Sequence, residues 1–178
     1  MLQSILDELQ ATHAIKFGDF TLRSGAHSPV YINLRAVISH PRLLKNLSEA
    51  LYTKIKHLDF DFICGVPYSA LAIATSLSIT HDIPMVMRRK EPKKHGLGQT
   101  VEGDFFPGQS CIVVEDVMTT GLSILETIGD LEQAGLRVTA VATIVDREQG
   151  AKENLAKKGY EVYHVFTLRE ILDGSPNI

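Results

Sequence analysis

Cys111-Ile112-Val113-Val114-Glu115-Asp116-Val117-Met118-Thr119-Thr120-Gly121-Leu122-Ser123 opens with four apolar residues in a row and no polar alternation. Such a run suits a strand buried on both faces of a sheet better than one with a face in water. A Thr-Thr-Gly break follows, and then an apolar helical pattern from Leu122 to Ala134. The same strand-then-helix alternation repeats on either side. Towards the N-terminus, Phe62 to Val66 reads as a strand, Ser69 to Ile79 as a helix and Pro84 to Met87 as a strand. Towards the C-terminus, Arg137 to Val145, Ala151 to Lys158 and Glu161 to Phe166 read as strand, helix and strand. This alternation predicts an α/β fold with a central, mostly parallel sheet flanked by helices. Ligands in such folds sit beyond the carboxyl ends of the strands, so the loops after Val66, Met87, Val114 and Val145 are expected to face one site.

The first third of the chain has another texture. Leu2, Ile5, Leu6 and Leu9 recur at helical spacing, and Pro41 opens a second helical pattern through Leu43, Leu44, Leu47, Leu51 and Ile55. Between them, Phe17 to Leu34 reads as two short strands around a polar turn at Ser24 to Ser28. With 178 residues, one domain over 1–178 is expected. Hydrophobic residues make up 44% and charged residues 22%, the balance of a soluble globular chain. The net charge of -3 gives the molecule no reason to seek nucleic acid or an anionic membrane. No apolar run approaches the length of a membrane span, and the first residues lack a basic segment followed by an apolar one, so a cytoplasmic location is expected. Cys64 and Cys111 each sit in an apolar run, as reduced core thiols do.

Three segments carry chemistry. Thr119, Thr120, Gly121 and Ser123 lie where the amides of a helix N-terminus are unpaired, and glycine lets a phosphate approach the backbone. Glu115 and Asp116 before them are placed to accept hydrogen bonds from vicinal hydroxyls and to favour a nearby cation. On the residues alone, a capped helix start behind a solvated strand end reads equally well. Residues 89–104, with Arg89, Lys90, Lys93, Lys94 and His95 among glycines, read either as an active-site lid or as a solvated charge run. The lid is not expected to be a buried element. Arg147, at the end of a strand, is shaped to hold a carboxylate in two-point fashion, although a surface ion pair with Asp146 also fits.

The pattern of four apolar residues, Glu-Asp, a hydrophobic pair and Thr-Thr-Gly-x-Ser resembles the phosphoribosyl diphosphate (PRPP) fingerprint of type I phosphoribosyltransferases. Arg89-Lys90-Glu91-x-Lys93-x-His95-Gly96 is similar to the catalytic loop of the orotate phosphoribosyltransferases. Phe20-x-Leu22-Arg23-Ser24-Gly25-x-x-Ser28-Pro29 is similar to their N-terminal hood, and Asp146-Arg147-x-x to their orotate-holding arginine motif. The resemblance covers nearly the whole chain and departs from the family at three places. Arg23 stands where lysine is usual, Lys94 where a carboxylate is common, and Ser69 where many relatives have lysine. A small residue at Ser69 marks the branch that includes domains fused to a decarboxylase, as in UMP synthase, and a chain ending at Ile178 leaves no room for that second domain.

The resemblance implies a type I phosphoribosyltransferase fold with a small hood formed mainly by 1–35 and a mobile catalytic loop at 89–104. It implies Lys93, Arg89, Lys90 and His95 as the catalytic cations. Arg23, Tyr68, Ser69, the same loop residues, Glu115, Asp116, Val117, Met118, Thr119, Thr120, Gly121, Leu122 and Ser123 would bind PRPP. Arg23, Tyr31, Ile32, Thr119 and Arg147 would bind orotate. Magnesium would be held mainly through PRPP near Glu115 and Asp116, with no ligand set of its own on the protein. A homodimer sharing the loop between subunits is implied, and association with orotidine monophosphate decarboxylase is allowed. Two rivals remain: a transferase for another base, in which Arg147 would meet no carboxylate, and a PRPP-binding regulator, which should carry a DNA-binding segment or basic face that this sequence lacks.

Overall fold

The computed structural model describes residues 2–21, 25, 27–90 and 100–174. Its centre is β6 (Ser110–Met118), running parallel to β3 (Phe62–Gly65) on one side and β7 (Arg137–Asp146) on the other. β4 (Met85–Arg88) joins β3 and β8 (Glu161–Thr167) joins β7, both parallel. The two-residue β5 (Val101–Glu102) pairs antiparallel with β4 at one edge, so the sheet order is β5-β4-β3-β6-β7-β8. Residues 110–115 and 140–147 are buried without alternation, which a strand shows when both faces of its sheet are covered.

The covering helices are α2 (Pro41–Ile55), α3 (Ser69–His81), α4 (Leu122–Gln133) and α5 (Ala151–Ala156). Pro41 fits the first turn of α2 because that position needs no N–H, and α2 then buries Leu43, Leu47, Leu51 and Ile55 along one stripe. β3 and α3 approach unusually closely at Gly65: a Cβ there would lie 2.7 Å from the Ala70 carbonyl oxygen. Before the sheet, α1 (Leu2–Ala11) buries Ile5, Leu6 and Leu9, and β1 (Ile15–Thr21) with β2 (His27–Ile32) forms a separate antiparallel pair. A short 3-10 turn at Leu34–Ser39 leads from this pair into α2.

Several expectations are corrected. β6 does not stop at Glu115. Its ladder with β7 continues through Glu115, Val117 and Met118, opposite Thr143, Val145 and Asp146, because a long neighbouring strand holds even a polar stretch extended. The segment 89–104 is not free of core: Arg88 and Val101 are register partners, and Val101 is buried. β2 begins at His27, inside the turn expected at Ser24 to Ser28. β5, the 3-10 turn and α6 (Leu168–Asp173) had no counterpart in the sequence reading. α6 had a legible signal, since Thr167 and Glu170 form a reciprocal capping box of the Thr-x-x-Glu kind. Cys64 and Cys111 are buried free thiols, and burial pushes that of Cys64 up to about 11, which keeps it protonated and inert. Among the described residues, no helix is long and apolar enough to cross a membrane.

Candidate active site

A cleft of about 650 Å³ opens at the carboxyl ends of β3, β6 and β7, with the β1–β2 pair along its rim. It brings together Tyr31, Ile32, Ser69, Glu115, Asp116, Val117, Thr119, Ser123 and Arg147 from the expected site. These come from four separate chain segments, so sheet topology, not sequence proximity alone, assembles them.

Glu115 lines this cleft while being almost fully buried. One oxygen accepts the Asp116 amide N–H at 3.0 Å and the other accepts the Ser123 hydroxyl at 3.0 Å. Burial pushes its pKa well above the ordinary carboxylate value, and the adjacent Asp116 side chain adds to the rise. The fold therefore opposes the charged form of Glu115, and a hydroxyl-bearing or cationic ligand would offset that. Among the described residues no cluster of three or more His, Cys, Asp or Glu side chains is placed to hold a metal ion. Two carboxylates side by side suit a hard cation that draws its other ligands from a bound substrate or water.

Downstream, Gly121 has φ +81° and precedes α4, whose first helical bond runs from the Leu125 N–H to the Gly121 carbonyl. The amides before Leu125 thus have no helical acceptor and are available to an anion. The fold itself also requires glycine here. A Cβ would meet that of Ala151 at 3.3 Å, so Gly121 serves α4–α5 packing and a left-handed turn. The Met118 side chain is buried in the core and offers a ligand only its backbone, and the Leu122 side chain is exposed outside the cleft.

Arg147 is 6% exposed, which removes the surface ion pair with Asp146 as its explanation. One of its terminal nitrogens donates to the Ser28 hydroxyl of β2 at 3.2 Å, and among the described residues its buried Nε has no acceptor. The neighbouring Asp146 carboxylate accepts instead from the Glu148 amide at 2.8 Å. Among the described residues no carboxylate pairs with Arg147, and burial lowers its pKa from the ordinary arginine value. A buried guanidinium that no carboxylate pairs is costly on its own, and an anionic ligand would offset that cost.

Towards the basic segment, Arg89 pairs with Glu102 at 3.2 Å and its N–H donates to the Thr100 carbonyl at 2.7 Å. Lys90 Nζ stands 5.7 Å from the centre of the exposed Tyr68 ring. These residues close the base of segment 91–99 and do not line the cleft. Arg23, Lys93 and His95 lie outside the described residues. Thr21, Asn33, Leu34 and Arg35, to which the sequence assigned no role, also line the cleft, as do Val66 and Pro67 of the loop after β3 that was expected to face it. Arg35 carried one signal, a cation just past a strand that ends at the site. The peptide between Pro67 and Tyr68 is cis.

Residues 34–168 match the phosphoribosyl transferase domain model, more than half of the chain. The chain belongs to the phosphoribosyl transferase family. It is 44% identical over 174 residues to bovine uridine 5'-monophosphate synthase, covering 97% of this chain but 36% of that protein, so it spans about a third of that relative's length. It is 35% identical over 177 residues to the orotate phosphoribosyltransferase of Pyrococcus furiosus, covering 98% and 95% of the two chains. Its fold is similar to the crystal structure of orotate phosphoribosyltransferase from Aeropyrum pernix, with a TM-score of 0.84, 34% identity and coverage of 95% and 96%.

Proposed function

We propose that this protein is an orotate phosphoribosyltransferase (EC 2.4.2.10), transferring the 5-phosphoribosyl group of PRPP to orotate to give orotidine 5'-monophosphate and pyrophosphate in pyrimidine synthesis. The observation that carries this reading is Arg147, a buried cation without a carboxylate partner among the described residues, in the same cleft as the acidic pair Glu115 and Asp116. A carboxylated base supplies what Arg147 lacks, and a ribose supplies hydroxyls for Glu115 and Asp116. The 5'-phosphate rests on Thr119 to Ser123, at amides without helical acceptors.

Orotate packs under the hood formed by residues 1–35, against Tyr31 and Ile32. Its ring nitrogen forms the bond to the anomeric carbon as the bond from that carbon to the diphosphate oxygen breaks; the bonding pair leaves with pyrophosphate, which also takes up the proton released from the ring nitrogen. Orotate is already an anion at its carboxylate, and no side-chain nucleophile is needed. Positioning and electrostatics lower the barrier. Lys93, Arg89, Lys90 and His95 meet the departing pyrophosphate when segment 89–104 closes, and in a homodimer this segment serves the partner's site. Magnesium bound to the oxygens of PRPP would neutralise charge there, with Glu115 and Asp116 beside it. The reading includes a cytoplasmic location, and association with orotidine monophosphate decarboxylase fits a chain that matches part of a longer UMP synthase.

The test is orotate consumption with PRPP and magnesium, followed for the wild type and for Arg147→Ala. The wild type is expected to turn over. Arg147→Ala is expected to raise KM for orotate by about tenfold or more, the loss of a charge-assisted pair, while KM for PRPP holds. A wild type that uses a purine base and ignores orotate refutes the reading.

A further inference from the structure

The described part of the cleft holds two cations, and the acceptor uses only one. Arg147 is anchored to Ser28 on β2. Arg35 is held at another wall, where its Nε donates to the Ser69 hydroxyl at 3.2 Å. Ser69 is the first residue of α3 and follows the loop Val66–Tyr68 that leaves β3, so this bond ties the 3-10 turn after the hood to the loop beside the acidic pair. Among the described residues, Arg35 makes no ion pair, although Glu115 and Asp116 share its cleft.

This arrangement has a chemical direction. Using Nε for Ser69 fixes the plane of the guanidinium and leaves its two terminal nitrogens as a fork. Such a fork matches a pair of phosphate oxygens. The donor's diphosphate is the most highly charged group in the proposed reaction, and Glu115 and Asp116 repel it when ionised. Arg147 is committed to the hood side. The remaining cation of the described cleft is Arg35, oriented by its bond to Ser69.

We propose that Arg35 is a diphosphate-binding residue of this site, oriented by Ser69, which grips the diphosphate of the donor and holds pyrophosphate as it leaves. The inference rests on the reading of the cleft as a PRPP site. Ser69 is in this respect a positioning residue, acting through Arg35.

The test uses the full chain and the variants Arg35→Gln, Arg35→Lys and Ser69→Ala. Binding of magnesium pyrophosphate is measured by calorimetry, KM for PRPP and for orotate by turnover, and Tm by thermal unfolding. Arg35→Gln is expected to weaken pyrophosphate binding and raise KM for PRPP by about tenfold, as for a lost charge-assisted pair, with KM for orotate and Tm held. Arg35→Lys recovers part of both losses because a point charge remains, and Ser69→Ala shows a smaller loss of the same kind. The proposal is overturned if Arg35→Gln leaves pyrophosphate affinity and KM for PRPP unchanged. It is also overturned if Tm and both KM values deteriorate together and lysine restores nothing, as for a purely structural link. Should the wild type fail to use orotate, the base assignment falls, and the pyrophosphate arm still decides Arg35: a loss in Arg35→Gln sustains it and an unchanged affinity removes it.

Discussion

At the scale of single residues, the site stores unfavourable electrostatics that a substrate relieves. Glu115 illustrates the sign. Its pKa is raised from 4.5 in the fold, so the folded state binds a proton more tightly than the unfolded chain. The stability it contributes is fully present below about pH 4.5 and is lost as pH rises through the folded value. Glu115→Gln keeps the hydrogen-bonding shape without an ionisable group. It is expected to raise Tm at neutral pH by roughly 2–4 °C for each kcal/mol relieved, with the gap to wild type closing towards pH 4.5. Differential scanning calorimetry across pH 4–8 checks this, and an equal Tm at neutral pH argues that Glu115 is ionised in the unliganded fold. The same variant is expected to lose activity, because an amide accepts ribose hydroxyls less strongly and no longer favours a cation. Relief of strain and loss of function in one substitution is the pattern of a residue kept for its chemistry.

At the scale of elements, the loop between β3 and α3 is positioned by an absence of side chain. Gly65 lets the strand end pass within contact of the Ala70 backbone, and a Cβ would also sit 2.9 Å from the Leu71 nitrogen. Neither neighbour is a flexible side-chain tip, so the backbone must move. Gly65→Ala is expected to cost about 1–3 kcal/mol in urea unfolding, the range for overpacking a tight core. It is also expected to raise KM for PRPP by displacing Ser69 and the loop before it. Unchanged stability and KM would mean that β3 and α3 separate without strain. β6 and α4 show the complementary case. The apolar run and the Thr-Thr-Gly break were readable as strand, turn and helix, because each depends on local residue types. The continuation of β6 through Glu115 and Asp116 was not readable, because it depends on the ladder supplied by β7.

At the scale of the whole molecule, the proposed sharing of segment 89–104 between subunits makes a prediction that no isolated site makes. Lys93→Ala and Asp116→Ala each remove a different half of the site. Mixed in equal amounts and allowed to exchange subunits, they form hybrid dimers in which one site is intact, restoring up to about a quarter of wild-type activity for random pairing. Assay after unfolding and refolding together checks this. Activity equal to the sum of the separate variants rules out sharing.

The sequence by itself determined the α/β alternation, the central strand with its acidic pair, and the family, because buried strands, helix starts and charged clusters are written in contiguous residues. It also pointed to Arg147 as a carboxylate holder, but left a surface ion pair equally open. Only the tertiary structure removed the surface pair, by burying the guanidinium against Ser28, 119 positions away in the chain. It likewise added packing against Ala151 to the reasons for Gly121, drew Val101 into the core, and brought Arg35 to Ser69 across 34 positions. Each of these rests on which distant backbone passes close by. Residue type sets what a side chain can do, whereas burial and the partners left available to it are fixed only when the sheet and its helices close around the cleft.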